Sequence, residues 1–196
     1  MWEAHANNLQ KSTDAKITRL EHTLSDAKGS FATKTEQLEA KVNNVKIGGR
    51  NLVKNSNPDV TDANYLHLFK ITEAPKFGDD VVVTLWGELG QGRTDFAVYN
   101  SEGWGELAKL KKVSDGIYQA QFKWADNTYT GRHKTTNVNL NVYAYPNSAT
   151  SNNTIKKVKF ERGTIGTDWT PAPEDVGIEV DRTKATINEF KETQAS

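Results

Sequence analysis

Three aromatic residues in polar stretches of the sequence are candidates for binding a sugar. Tyr99 and Trp104 flank residues 100–103, and Tyr129 follows closely on an Asp-Asn pair. An aromatic ring presents a flat apolar surface to a sugar ring, while nearby Asn and Asp side chains supply directional hydrogen bonds. The three residues are therefore candidates for a glycan-binding platform, although for each ring alone the favoured interpretation is that it plugs an open end of the domain.

Residue types that catalysis needs do not occur in recognisable arrangements. His67 and His133 are the only histidines in the globular region, and neither has carboxylates at a metal-site spacing. The sequence contains no Gly-x-Ser-x-Gly elbow, phosphate loop or His-Glu-x-x-His motif. Glycoside cleavage needs only two carboxylates about 5 to 10 Å apart, but 25 acidic residues supply such pairs by chance. The acidic candidates on predicted turns include Asp79, Asp80, Asp95 and Glu102. We predict no catalytic residue and no enzyme activity.

A calcium site is the metal-binding hypothesis that the loops allow. Ca²⁺ prefers oxygen ligands from loops, and Asp59, Asp62, Asp79 and Asp80 could supply them, but their spacing is irregular. The sequence has no Cys, so thiolate zinc sites, disulfides and Cys nucleophiles are all excluded. We therefore predict neither a metal nor a cofactor.

Charge and hydropathy narrow the classes of partner. The 25 basic and 25 acidic residues cancel, so no charge-driven affinity for nucleic acid is expected. No apolar run approaches the roughly 18 residues of a membrane span, and the N-terminus lacks the pattern of a signal peptide. We predict no nucleic-acid partner and no membrane insertion.

The N-terminal residues 1–47 are predicted to form one long coiled-coil helix. Apolar or small residues recur at spacings of three and four from Trp2 to Val45, as in a helix stripe that packs against another helix. A long isolated helix gains little stability without packing, so self-association is expected. The alternatives are that the stripe packs back on the β-domain, or that Gly29 and Ser30 break the helix. The predicted interface residues are Ile17, Leu20, Leu24, Phe31, Leu38, Val42 and Val45.

Residues 48–172 have the pattern of an all-β domain. Eight short segments with β character are separated by Gly, Asn, Asp and Pro turns, which predicts an antiparallel, jelly-roll-like β-sandwich. Val81–Val83 is a continuous apolar run, typical of a central strand covered on both faces. In the strand that begins at Val138, one face would carry Leu140, Val142 and Ala144, and the other Asn139, Asn141, Tyr143 and Tyr145. The predicted strands are 51–54, 65–72, 80–88, 94–101, 108–113, 117–124, 138–145 and 154–162.

The end of the β-domain is predicted to lead into a second coiled coil over residues 173–196. In the last strand Lys157, Lys159 and Glu161 alternate with apolar residues, which predicts one solvent-facing side. Gly163 and Gly166 then permit sharp turns, and Pro171 and Pro173 are expected to lie outside both sheet and helix. The helical pattern begins at Val176, and its predicted interface residues include Val180 and Ile187. We predict that Trp86, Trp124 and Trp169 are core residues.

Short motifs at both edges of the β-domain resemble those of a phage protein family. The first is Gly49-Arg50-Asn51-Leu52 with Asn55-Ser56, and the second is Phe160-Glu161-Arg162-Gly163 with Asp168-Trp169-Thr170-Pro171. Together they resemble the edges of a carbohydrate-binding-module-like jelly-roll domain in phage tail-fibre and tail-tip proteins of the host-specificity, central tail fibre kind. The motifs frame about two thirds of the chain. They mark structural edges and no catalytic or receptor-contacting residue.

The resemblance implies a role in the virion, as part of the phage tail. It implies a parallel homotrimer, contacts with other phage tail proteins, and a β-domain that displays loops toward a host cell-surface glycan or receptor. The seam residues alone do not distinguish a trimer from a dimer. Two alternatives remain, a purely structural spacer in the fibre and a glycan-degrading enzyme.

Overall fold

The computed structural model describes residues 1–99, 105–125 and 139–195. The chain divides into two compact units, Met1–Val45 and Lys46–Ser196. Within these described residues, the first unit contains helix α1, and the second contains eight β-strands and helix α2. The predicted mixed, mainly β fold class is confirmed, while the jelly-roll and coiled-coil descriptions stay predictions. Within the described residues, neither helix combines the length and apolar character needed to cross a membrane.

Helix α1 runs without interruption from Trp2 to Asn43. The alternative of a break at Gly29 and Ser30 is therefore wrong, since a single Gly costs only about 1 kcal/mol within a helix. No residue of α1 is buried. The seven predicted interface residues are between 47% and 72% exposed, so the stripe is a continuous apolar surface along the helix.

The eight strands form one antiparallel sheet in the spatial order β1-β8-β3-β6-β5-β4-β7-β2. Strand β5 pairs with β4 through its first half and with β6 through its second half. This switch lets the sheet curl, so residues from both halves share one hydrophobic core. The strands are β1 Val60–Asp62, β2 Leu66–Lys70, β3 Asp80–Glu88, β4 Asp95–Tyr99, β5 Glu106–Ser114, β6 Ile117–Lys123, β7 Asn139–Tyr145 and β8 Asn153–Arg162.

Strand β3 is central, as its apolar run predicts. It lies between β6 and β8, and Val81, Val82 and Val83 are all buried. Val81 and Val83 belong to the shared core, whereas Val82 lies on the opposite face. Both faces of β3 are therefore covered.

Residues 51–54 do not form the predicted strand. Only Val53 makes a bridge, to Ile71. Backbone hydrogen bonds nevertheless join Leu52 to Phe160 and Lys54 to Lys70. The side chain of Asn51 is fully buried and adds further bonds, because its Nδ2 donates to the carbonyls of Val158 and Thr170 and its Oδ1 accepts from the Phe160 amide. The short β1 was not expected, because residues 60–62 are too few to show a period.

The predicted solvent-facing side of β8 is exposed at Lys157 but buried at Lys159 and Glu161. Residues 163–172, here called the connecting segment, fold over it, and Lys159 and Glu161 are 1% and 0% exposed. Their Nζ and Oε2 atoms are 3.5 Å apart. The Lys159 ammonium also donates to Thr167 Oγ1 at 2.6 Å and to the Asp168 carbonyl at 2.7 Å, and Glu161 accepts from the Thr167 amide at 2.7 Å. The alternation was interpreted wrongly because charged residues can be buried when each is paired.

Helix α2, Pro173–Ala195, begins earlier than predicted. Pro173 lies at its first position, where the missing N–H costs nothing and the fixed φ suits a helix. The expectation that Pro173 lies outside the helix is wrong for this reason. Val180 and Ile187 are about half exposed, and the coiled coil remains a prediction.

The three tryptophans differ in burial. Trp124 is fully buried, with its ring centroid 5.2 Å from that of Phe160, which confirms its core position. Trp86 and Trp169 are only half-buried, so their assignment as core residues is wrong. Trp169 donates from Nε1 to Ser56 Oγ at 3.1 Å, and the Lys157 ammonium lies 4.7 Å from its ring centroid. Trp169 therefore packs at the edge of the domain, and part of its ring remains accessible to solvent.

Candidate binding face

The structure tests only part of the predicted glycan platform. Tyr99 is the last residue of β4 and is half-buried. Trp104 and Tyr129 lie outside the described residues. Tyr99 instead belongs to a group of rings that the sequence analysis did not bring together.

Four tyrosines form a continuous ring cluster on the outer face of the curled sheet. We call this cluster, consisting of Tyr65, Tyr99, Tyr143 and Tyr145, the tyrosine face. The Tyr143 ring is central, with centroids 5.1 Å from Tyr65, 4.6 Å from Tyr99 and 6.1 Å from Tyr145. The Tyr65 and Tyr145 centroids are 5.3 Å apart in an edge-on arrangement. All four residues are half-buried, so each ring is packed and still partly accessible.

The pleat of β7 and its register with β4 position these rings. Side chains alternate between the faces of a strand, so buried Leu140, Val142 and Ala144 direct Tyr143 and Tyr145 to the outer face. On β4, Tyr99 lies opposite Asn141, which makes it a diagonal neighbour of Tyr143. Tyr65 precedes β2, and its carbonyl accepts from the Ala144 amide at 2.9 Å.

A buried arginine ties together the chain ends beside the face. Arg93 Nη1 donates to the carbonyl of Ala144 at 2.6 Å and to that of Pro146 at 3.1 Å, and Nη2 donates to the carbonyl of Ala63 at 2.8 Å. These bonds link the end of β7 to the segment before β2. Arg93 therefore positions Tyr65 and Tyr145 without belonging to the exposed surface.

The tyrosine hydroxyls are linked and stay protonated at ordinary pH. The Tyr99 and Tyr145 hydroxyls are hydrogen-bonded to each other. Burial, followed by a hydrogen bond to Tyr145, raises the pKa of Tyr65 to about 12. Burial also raises the pKa of Tyr99, Tyr143 and Tyr145. The face therefore presents neutral hydroxyls, which both donate and accept hydrogen bonds.

Aliphatic and charged side chains border the rings. Leu66 and Leu68 of the edge strand β2 lie opposite Tyr143 and Asn141, and they are 37% and 60% exposed. On the other side, Asp95 pairs with Lys109 at 3.5 Å. The Glu106 carboxylate is near enough that its charge adds to the raised pKa of Tyr99 and Tyr145. The border thus has two leucines and the exposed Lys70 on the β2 side, and charged residues of both signs on the other.

The sequence contained a signal for this face that the analysis missed. Tyr143 and Tyr145 alternate with the buried residues of β7, so two aromatic rings on the polar side of one strand were already evident. Their neighbours Tyr65 and Tyr99 are distant in sequence. Only the pairing of β7 with β2 and β4 brings them together.

The other candidate residues do not form a common site. Asp62 Oδ1 is 3.0 Å from His67 Nε2; burial would raise the pKa of Asp62, but the Asn64 amide and His67 lower it. Asp79 is 3.5 Å from Arg162, and Asp80 contacts Lys123 at 2.5 Å. Across residues 1–99, 105–125 and 139–195, no three His, Cys, Asp or Glu side chains are grouped to hold a metal ion. Asp59, Asp62, Asp79 and Asp80 therefore do not form the calcium cluster considered from the sequence.

Comparisons with known proteins give one weak structural likeness. No known protein family and no curated protein matches the sequence. Among solved structures, the chain is similar to the tripod (BppUct-A-L) from the baseplate of bacteriophage Tuc2009, with 16% sequence identity and a TM-score of 0.40. The similarity covers 64% of this chain and spans 59% of the length of that one. Function is therefore argued from the geometry of the chain itself.

Proposed function

We propose that this chain is a structural and host-recognition segment of a phage tail fibre or tail tip, and that it assembles as a parallel homotrimer in the virion. In this role its partners are other copies of itself, other phage tail proteins, and a host cell-surface glycan or receptor. The β-domain binds and the helices assemble, and neither performs catalysis.

The main support for this proposal is that residues of the two edge motifs contact each other. Asn51 belongs to the first motif, and its amide group bonds to the backbone of Val158, Phe160 and Thr170 in and around the second motif. Arg50 also pairs with Glu174 at the start of α2. Because these interactions hold the two ends of the β-domain together, the residues that carry the resemblance have the structural role expected of a module's edges.

The helices support assembly. The α1 stripe and the α2 residues Val180 and Ile187 are exposed along their length, and a solvated apolar stripe is stabilised when it packs against a copy of itself. A binding role is supported over catalysis because the candidate acids Asp79, Asp80 and Asp95 are each engaged by a cation.

Sedimentation velocity tests the assembly. The intact chain is expected to sediment at three times its 21.8 kDa mass at micromolar concentration. Leu24→Lys places a charge in the stripe, so it should shift the chain toward the monomer and leave the melting of the β-domain unchanged. Ser25→Lys adds the same charge outside the stripe and should remain trimeric.

A monomeric mass for the intact chain would contradict the proposed trimer. Adsorption of the labelled trimer to a panel of bacterial strains tests recognition separately. Binding to none of the strains would contradict a host-recognition role and would favour the alternative of a purely structural spacer.

A further inference from the structure

We propose that the tyrosine face is a carbohydrate-binding surface for an extended, uncharged glycan. This inference rests on the host-recognition function proposed above, and it gives that function a location and a ligand class. The surface comprises the four tyrosines together with Leu66 and Leu68.

The shape of the face suits a polymer. Its residues come from or adjoin three neighbouring strands, β2, β7 and β4, and strands lie about 4.8 Å apart, so the face is about 10 Å wide. The rings are partly accessible on the outer face of the sheet, where Ala97 and Asn141 between them are buried. Such a surface can contact several consecutive units of an extended chain, whereas a small molecule would need a concave site to bury most of its area.

The chemistry of the face suits sugar hydroxyls. The accessible parts of the Tyr143 and Tyr145 rings, with Leu68, offer apolar contact to the C–H faces of a sugar. Phenol groups are protonated at neutral pH, and burial raises the pKa of each of these further. A neutral phenol both donates and accepts, as a sugar hydroxyl does, so each can exchange hydrogen bonds with the ligand without a buried charge.

The charges at the border are mixed and do not select an acidic ligand. The Lys109 ammonium is paired with Asp95 at 3.5 Å. The Glu106 carboxylate lies near Tyr99 and Tyr145, and Lys70 is exposed on the same side of β2 as Leu66 and Leu68. The rings and hydroxyls of the face itself carry no charge, so the expected ligand is a neutral polysaccharide.

The test uses the intact chain and immobilised polysaccharides. The probes are neutral glucan, mannan and galactan, with polygalacturonate as the acidic comparison. The decisive variant is Leu68→Lys, which places a hydrated ammonium beside Tyr143. Leu68 is 60% exposed, so its substitution disturbs no buried side chain. Its matched control is Val113→Lys on β5, which is 56% exposed and lies outside the face.

Retention on at least one neutral polysaccharide is expected, with an affinity roughly tenfold weaker for Leu68→Lys and unchanged for Val113→Lys. Tyr143→Ala, checked by its melting curve, should have an equal or larger effect because it removes the central ring. Tyr143→Phe keeps the ring and should lose less.

Four results would overturn the inference. These are retention of no neutral polysaccharide, retention of polygalacturonate alone, equal binding by Leu68→Lys and Val113→Lys, and a change of sedimentation mass with Leu68→Lys, which would make the face a contact between copies. If the trimer still adsorbs to bacterial cells in any of these cases, host recognition stands and only its location on this face is wrong.

Discussion

Two outer faces of the same curled sheet differ in what covers them. On β3 and β8, Val82, Thr84, Lys159 and Glu161 are buried beneath the connecting segment. On β4 and β7, the tyrosine rings are only half-buried. One face therefore has ionic groups in a closed environment, and the other has neutral hydroxyls in an open one.

The difference shows how each kind of polar group is accommodated. A buried ion pair is maintained only when each charge has partners, and Lys159 and Glu161 satisfy this through Thr167 and Asp168. The polar groups of this face are therefore engaged within the domain and are not accessible to a ligand. Tyrosine rings tolerate partial exposure because each has an apolar body and a polar end, so the open face can exchange water for a ligand at little cost.

The largest effect on the covered face is expected from Lys159→Met. The change leaves the Glu161 carboxylate buried without its cation, and loss of one partner of a buried pair costs about 3–5 kcal/mol. Urea unfolding measures this loss. Lys156→Met, at an exposed position of the same strand, is the control and should change the unfolding free energy by less than about 0.5 kcal/mol. Equal effects of the two variants would show that the covered face is solvated.

A smaller effect is expected where the chain enters the domain. A Cβ on Gly48 would lie 2.2 Å from Glu161 Oε2, whereas a Cβ on Gly49 would meet nothing within 4 Å. Gly48→Ala must displace a carboxylate that Thr167 and Lys159 hold in place, and overpacking of this kind costs about 1–3 kcal/mol. Thermal melting should show a lower transition for Gly48→Ala than for Gly49→Ala. Matching curves would mean that Glu161 moves freely.

The smallest effect concerns the pH response of the open face. The pKa of Tyr65 is about 12 in the folded chain, above the ordinary tyrosine pKa of 10.0. Because the folded state holds this proton more tightly, the resulting stabilisation is complete below pH 10 and is lost as pH rises toward 12. The urea midpoint should therefore fall less steeply over this range in Tyr65→Phe than in the unmodified chain. Identical slopes would show that the Tyr65 hydroxyl is solvated like that of a free phenol.

Local patterns predicted most of the secondary structure. The 80–88 strand coincides with β3, β6 and β8 differ from their predictions by one residue at an end, and β7 matches its prediction over the described residues 139–145. These strands have a clear period or a continuous apolar run. The predicted strand 51–54 is reduced to the single bridge of Val53. The position of this segment depends on the side chain of Asn51, whose partners Val158, Phe160 and Thr170 are more than 100 residues away in the sequence.

The candidate site was predicted less completely. Tyr99 was selected for its position beside a polar loop, but its structural neighbours are Tyr143 and Tyr145. Those two rings could be assigned to the outer face of β7 from alternation alone. Their partners could not, because strand order depends on which pairings complete the core, and β7 lies between β2 and β4.

The sequence by itself determined the two helices, the exposed stripe of α1, and the alternation that separates inner from outer residues in the strands. Tertiary structure alone decided which outer face is covered. Lys159 and Tyr143 both occupy outer positions on their strands, yet Lys159 is buried and Tyr143 remains partly accessible. Alternation is a property of one strand, whereas burial of its outer face depends on another segment that packs there, and Gly166 and Thr167 do so only over β3, β6 and β8.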